Sequence, residues 1–113
     1  LINLINDERA AAGLPDLKKS DALCEDAKVR VAEINGTFSH TRPDGTICFT
    51  AISVPYGYAG ENIAKGQTSP KDVMDCWMNS DGHRKNILSN DYTSVGVGYD
   101  PSTNCWVQIF ISD

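Results

Sequence analysis

The chain has 113 residues, with ten Lys or Arg against fifteen Asp or Glu and a net charge of −5. That length suits one compact domain, and the acidic balance disfavours nucleic acid and anionic membranes as partners. No apolar run approaches the ~20 residues that a membrane-spanning helix needs.

Leu1, Leu4, Ile5, Ala11 and Ala12 fall near one face of a first predicted helix, with Asn6, Asp7 and Arg9 on the other; Gly13 and Pro15 end it. The chain opens directly on this pattern, which points to an upstream region trimmed away, so residues 1–113 are expected to be a single domain of a longer protein. Ser20 or Asp21 caps a second helix, whose Leu23, Ala27, Val31 and Ile34 keep helical spacing until Asn35-Gly36.

The stretch from Arg42 to Tyr58 carries Pro43, Gly45, Pro55 and Gly57, and is expected to be loop around at most one short helical turn at Phe49 to Ser53. A third helix starts at Ser69-Pro70, with serine as cap and proline in the first helical position, and carries Val73, Met74, Trp77 and Met78. Ser80-Asp81 begins a fourth, short helix to Leu88. The period then changes to two. Val95, Val97 and Tyr99 oppose Gly96 and Gly98, and Cys105, Val107, Ile109 and Ile111 oppose Trp106, Gln108 and Phe110, which predicts an antiparallel hairpin. Helices followed by strands imply an α+β fold.

Cys24, Cys48, Cys76 and Cys105 show no CxxC spacing, which argues against a zinc ribbon; two disulfides and buried free thiols both fit. Chemistry concentrates in three polar motifs. They are Phe38-Ser39-His40-Thr41-Arg42-Pro43-Asp44-Gly45, Ala59-Gly60-Glu61-Asn62-Ile63-Ala64, and Trp77 through Leu88, which contains Ser80 and His83. The only two histidines lie in the first and the last, and imidazole is the side chain suited to ligate a metal or carry a proton near neutral pH.

Together with LINLINDERAAAGLPDL at the start and YTSVGVGY and CWVQIF at the end, these motifs resemble the CAP superfamily, the cysteine-rich secretory, antigen 5 and pathogenesis-related 1 proteins, in its bacterial SCP-like branch. The resemblance spans nearly the whole chain. It implies a three-layer α-β-α sandwich with a small antiparallel sheet, a secreted or cell-surface location, and a polar cleft. Eukaryotic members keep two histidines and two glutamates there; His40 and Glu61 match one of each. Ser80 stands where those relatives have the other glutamate and Cys105 where they have the other histidine, so the full tetrad is absent. His83, within the SxGHRxNIL pattern of bacterial members, is the candidate second imidazole.

If His83 lies in the first turn of a helix capped by Ser80, the positive helix end lowers its pKa and leaves a neutral ligand. His40, His83 and Glu61 would then match the two-His, one-acid set of open zinc sites. Asn62 could bond a ligand or fix a turn, Trp77 is expected in the core, and Arg42 and Arg84 are expected to answer Asp44 or Asp81. Cys105 in an apolar strand is expected to be buried or oxidised rather than nucleophilic. Three functions follow: a non-enzymatic cleft for a small molecule, lipid or protein partner; a metal-dependent hydrolase using His40, His83 and Glu61; or a structural accessory domain of an envelope protein.

Overall fold

In the computed structural model, which covers residues 1–113, the elements run α1 (Ile2–Ala11), β1 (Lys18–Lys19), α2 (Asp21–Gly36), β2 (Ala59–Lys65), α3 (Pro70–Met78), α4 (Asp81–Ile87), β3 (Ser94–Asp100) and β4 (Cys105–Ile111). A 3₁₀ turn at Cys48–Ala51 interrupts the long loop before β2. The strand order is β1-β3-β4-β2. The three long strands pair antiparallel, and β1 adds a two-residue parallel edge to β3.

Period-two alternation sends the two faces of this sheet to different helical layers. On one face, Leu23, Ala27, Val31 and Ile34 of α2 pack on Ile63, Cys105, Val107, Ile109 and Ile111. On the other, Ile5, Val73, Met74, Trp77 and Ile87 from α1, α3 and α4 pack on Ala64, Val95, Trp106 and Phe110. The result is an α-β-α sandwich. Ser20 caps α2 by accepting from the Leu23 amide, and Ser69 caps α3 by accepting from Asp72 with Pro70 in the first turn. Trp77 is buried in the core, and its indole N–H donates to the Ile63 carbonyl at 3.2 Å.

Glycine in β3 is a packing requirement. A Cβ at Gly96 would overlap the carbonyl carbon of Leu23, and one at Gly98 would lie 2.9 Å from the Ala27 backbone. The backbone of α2 therefore rests directly on β3.

Two expectations are corrected. Arg9 is not on the solvent face of α1: it is fully buried, while Ala11 and Ala12 are exposed. Its guanidinium donates to the carbonyls of Ile87 and Ser89, closing the C-terminal end of α4, and to Pro15. Four carbonyls at a helix end need donors, and this buried arginine serves one of them, Ile87, from α1, and the Ser89 carbonyl just beyond. Arg42 pairs with Glu33 of α2 at 2.8 Å, not with Asp44, whose carboxylate accepts from Thr46. Arg84 does pair with Asp81, at 2.6 Å. The Gly60-Glu61-Asn62 motif, read from sequence without an assigned element, lies in strand β2. All four cysteines are free thiols, with Cys48 and Cys105 buried and Cys76 exposed.

Gly96→Ala is expected to cost about 2–3 kcal/mol in urea unfolding, because helix backbone cannot yield as a side chain would. Gly36→Ala, where a Cβ meets nothing within 4 Å, should be neutral or slightly stabilising.

Candidate functional site

The site starts with a charge buried in α2. Arg30 follows Ala27 by three residues and precedes Val31 by one, so it sits at the border of the apolar stripe and is fully buried. Its Nε and Nη2 donate to the two oxygens of Glu61 at 2.8 and 3.1 Å, a bidentate pair. The same guanidinium donates to Glu33 at 2.8 Å and to the Ser39 carbonyl at 2.6 Å. Arg30 thus ties β2, its own helix and the segment entering His40 to one point.

His40 is fixed from both sides of the chain. Its carbonyl accepts from the Cys48 amide at 2.8 Å, and Thr41 bridges Ile47 across a tight turn with Gly45 at φ +88°. The imidazole Nδ1 lies 2.9 Å from Glu61 Oε1, while the ring stays 54% exposed against 2% for the glutamate. An ionised carboxylate can only accept, so Nδ1 carries the proton and the neutral ring keeps its free lone pair on Nε2. Burial alone would raise the Glu61 carboxyl. Hydrogen bonds from His40 and Arg30, with the charge of Arg30, outweigh it and hold Glu61 below the usual carboxylate range.

Ser80 and His83 face the same cleft. Ser80 occupies the N-cap position of α4, but its hydroxyl makes no cap bond and instead lies 2.8 Å from His83 Nδ1, serving the ring as donor or acceptor according to its tautomer. His83 is held below its ordinary pKa, as expected, yet the main cause is burial, with repulsion from His40 second. Both imidazoles line a cavity of about 560 Å³ with Phe38, Trp77 and the β2 residues Ile63 to Lys65. That size falls in the range of small-ligand sites.

Asn62 does not line the cavity. Its amide is buried and donates to the His83 carbonyl at 3.2 Å and to Gln108 at 3.0 Å, while its oxygen accepts from Asn86 at 2.9 Å. It holds α4, and with it His83, against β2. Cys105 faces α2 and Gln108 the opposite layer beside Met74, as strand alternation requires.

Sequence reasoning missed Arg30 and Cys48. A lone arginine bordering an apolar helical stripe was the available signal for the first; nothing marked the second. The ligand atoms of His40, Cys48 and Glu61 lie within 4.8 Å of one another, and His83 is not in that group. Glu61 already neutralises a buried guanidinium through both of its oxygens, which leaves this set poor in free negative charge for a divalent cation. Burial, and after it Glu61, pushes the Cys48 thiol up to about 12.

An α-β-α sandwich whose strand β2 presents a buried glutamate to a half-exposed histidine defines a CAP-type domain. Residues 2–111 match the model of the cysteine-rich secretory protein family, and the chain belongs to that family. It is 40% identical over 116 residues to YkwD of Bacillus subtilis, covering 98% of this chain and 45% of that protein. An extracellular SCP-domain protein from Bacillus anthracis superposes with TM-score 0.90 at 33% identity, over 99% of this chain and 39% of the other. An outer surface protein of Borrelia burgdorferi shares the fold, with TM-score 0.89 at 23% identity over 98% and 88%. The chain therefore spans less than half the length of YkwD and of the Bacillus anthracis protein.

Two outcomes are expected. Arg30→Met should destabilise by about 3–5 kcal/mol in urea unfolding, since it strands a buried carboxylate, and adding Glu61→Gln should restore part of the loss. Because the Glu61 pKa is depressed on folding, its contribution is present above the unfolded value of about 4.3 and lost as pH falls through the folded one. The stability gap between wild type and Glu61→Gln should therefore shrink on acidification below about pH 4.3. By histidine NMR, His83 should titrate below its ordinary value and move up in His40→Ala, which removes the repelling charge.

Proposed function

We propose that this chain is an extracellular or cell-surface CAP module whose cleft binds a ligand or partner without turning it over. The observation that carries this reading is the commitment of Glu61, whose two oxygens are held by Arg30 and His40. A general base must take a proton from its substrate. A 2% exposed carboxylate, depressed in pKa and bonded at both oxygens, is a holder of the His40 ring instead. The same commitment speaks against a zinc hydrolase built on His40, His83 and Glu61, because no free acid accompanies the two imidazoles.

Burying the Arg30–Glu61 pair costs desolvation that an apolar pair would not. The pair ties α2, β2 and the segment entering His40 together and leaves that ring half-exposed at the cleft, which supports a recognition surface. The cleft offers aromatic surface at Phe38, over a floor that includes the buried Trp77, and polar atoms at Ser80, His83 and His40, a mixture suited to a small molecule, a lipid or a partner segment. Location outside the membrane barrier is supported by the extracellular Bacillus anthracis relative. No helix here is long and apolar enough to cross a membrane. The lengths of the relatives support a domain within a longer protein.

Titration of 8-anilino-1-naphthalenesulfonate into the chain is expected to shift the NMR signals of His40, His83 and Trp77, with Phe38→Ser weakening binding about fivefold. Neither p-nitrophenyl acetate nor casein should be hydrolysed faster by wild type than by His40→Ala. Hydrolysis that depends on His40 would overturn this reading.

A further inference from the structure

Strand β2 is the edge of the sheet, and the cleft runs along it. In an antiparallel ladder alternate residues bond the neighbour, and the residues between them direct N–H and C=O the other way. Flanking bonds fix the parity: Ser112 N–H donates to Tyr58 and Gly66 N–H to Asn104, so the even-numbered residues of β2 face β4. Glu61, Ile63 and Lys65 therefore turn their peptide groups to the open edge.

Two carbonyls on that edge are already satisfied. Asn86 donates to the Glu61 carbonyl at 3.3 Å, and the Trp77 indole donates to the Ile63 carbonyl at 3.2 Å. The amides of Ile63 and Lys65 donate to no group of the chain. An exposed strand edge ordinarily offers donors and acceptors alike. Here the Glu61 and Ile63 carbonyls are taken, while the amides of Glu61, Ile63 and Lys65 and the Lys65 carbonyl stay open; the Ile63 and Lys65 amides, which border the cleft, lie two residues and about 7 Å apart along the strand.

We infer that the cleft takes an extended polypeptide segment, which lies against β2 and accepts hydrogen bonds from the amides of Ile63 and Lys65 through alternate carbonyls. This rests on the cleft reading above and names its occupant. Carbonyls on every second residue of an extended peptide recur at the same ~7 Å spacing, whereas a lipid tail has no acceptors at all. The walls suit side chains projecting to either side of such a strand. Phe38, 52% exposed, forms one wall, and Ser80 and His83 on the α4 side form the other. Main-chain bonds to a strand edge with pockets for alternate side chains are a recurrent mode of peptide capture.

The test is selection of phage-displayed random dodecapeptides on the immobilised chain, followed by titration of selected peptides into ¹⁵N-labelled chain. The Ile63 and Lys65 amide protons should move downfield and exchange at least tenfold more slowly at saturation. Lys65→Pro removes a donor the fold does not use, at an exposed strand end where proline is tolerated. It should weaken binding about fivefold, the worth of one hydrogen bond, beyond any change seen in Lys65→Ala, which loses the side chain and keeps the amide. Should Lys65→Pro fail to fold, the wild-type exchange rates decide. Peptides that bind without protecting these amides overturn the inference. So does a selection that yields none while 8-anilino-1-naphthalenesulfonate still shifts His40 and His83, in which case the cleft reading stands. If neither probe engages the cleft, both fall.

Discussion

The Arg30–Glu61 pair is the constraint on which the site depends. It joins α2 to the edge strand across the sheet face, and through the Ser39 carbonyl and His40 it sets where the following loop lies. Neither partner is tolerable alone in that position: a buried guanidinium without its carboxylate, or the reverse, costs several kcal/mol. The pair therefore behaves as one unit. Arg42, docked on Glu33 one turn further along α2, repeats the principle at the rim with partly exposed groups.

On the far side of the sheet the same task is done with neutral amides. Asn62, Asn86 and Gln108 form a chain of hydrogen bonds that holds α4 to β2, and Arg9 closes the other end of α4 from α1. His40 is thus placed by a charge network from one layer and His83 by an amide network from the other. The cleft between them inherits its shape from two independently anchored walls.

Much of the architecture was legible because it follows from period and punctuation. Ser69-Pro70 announced α3, and the alternation from Val95 to Ile111 announced the hairpin and assigned its faces correctly. β2 was harder. Its Gly60, Glu61 and Asn62 have poor strand propensity, and it forms because β4 offers a full ladder and two helical layers bury it, a tertiary effect that local pattern does not carry. Arg9 failed for a related reason: a charged residue at helical spacing from Ile5 is solvent-facing unless a helix end elsewhere needs its donors. His40, Glu61 and His83 were found through motif resemblance, but the partner that orients Glu61 and His40, Arg30, sits in a helix that announces only packing.

Gly60, Glu61 and Asn62 are neighbours in sequence whose side positions answer to opposite layers of the molecule. A Cβ at Gly60 would meet the Tyr92 hydroxyl at 2.5 Å, Glu61 belongs to α2, and Asn62 belongs to α4. Strand geometry throws successive residues to opposite faces, so the Glu61 side chain meets α2 while Gly60 and Asn62 both face the layer of α4 and Tyr92, with Asn86 beside each. The contiguity of this tripeptide as a motif is then a by-product of where the strand runs: drift of α2 would be felt at its middle letter, and drift of α4 at all three.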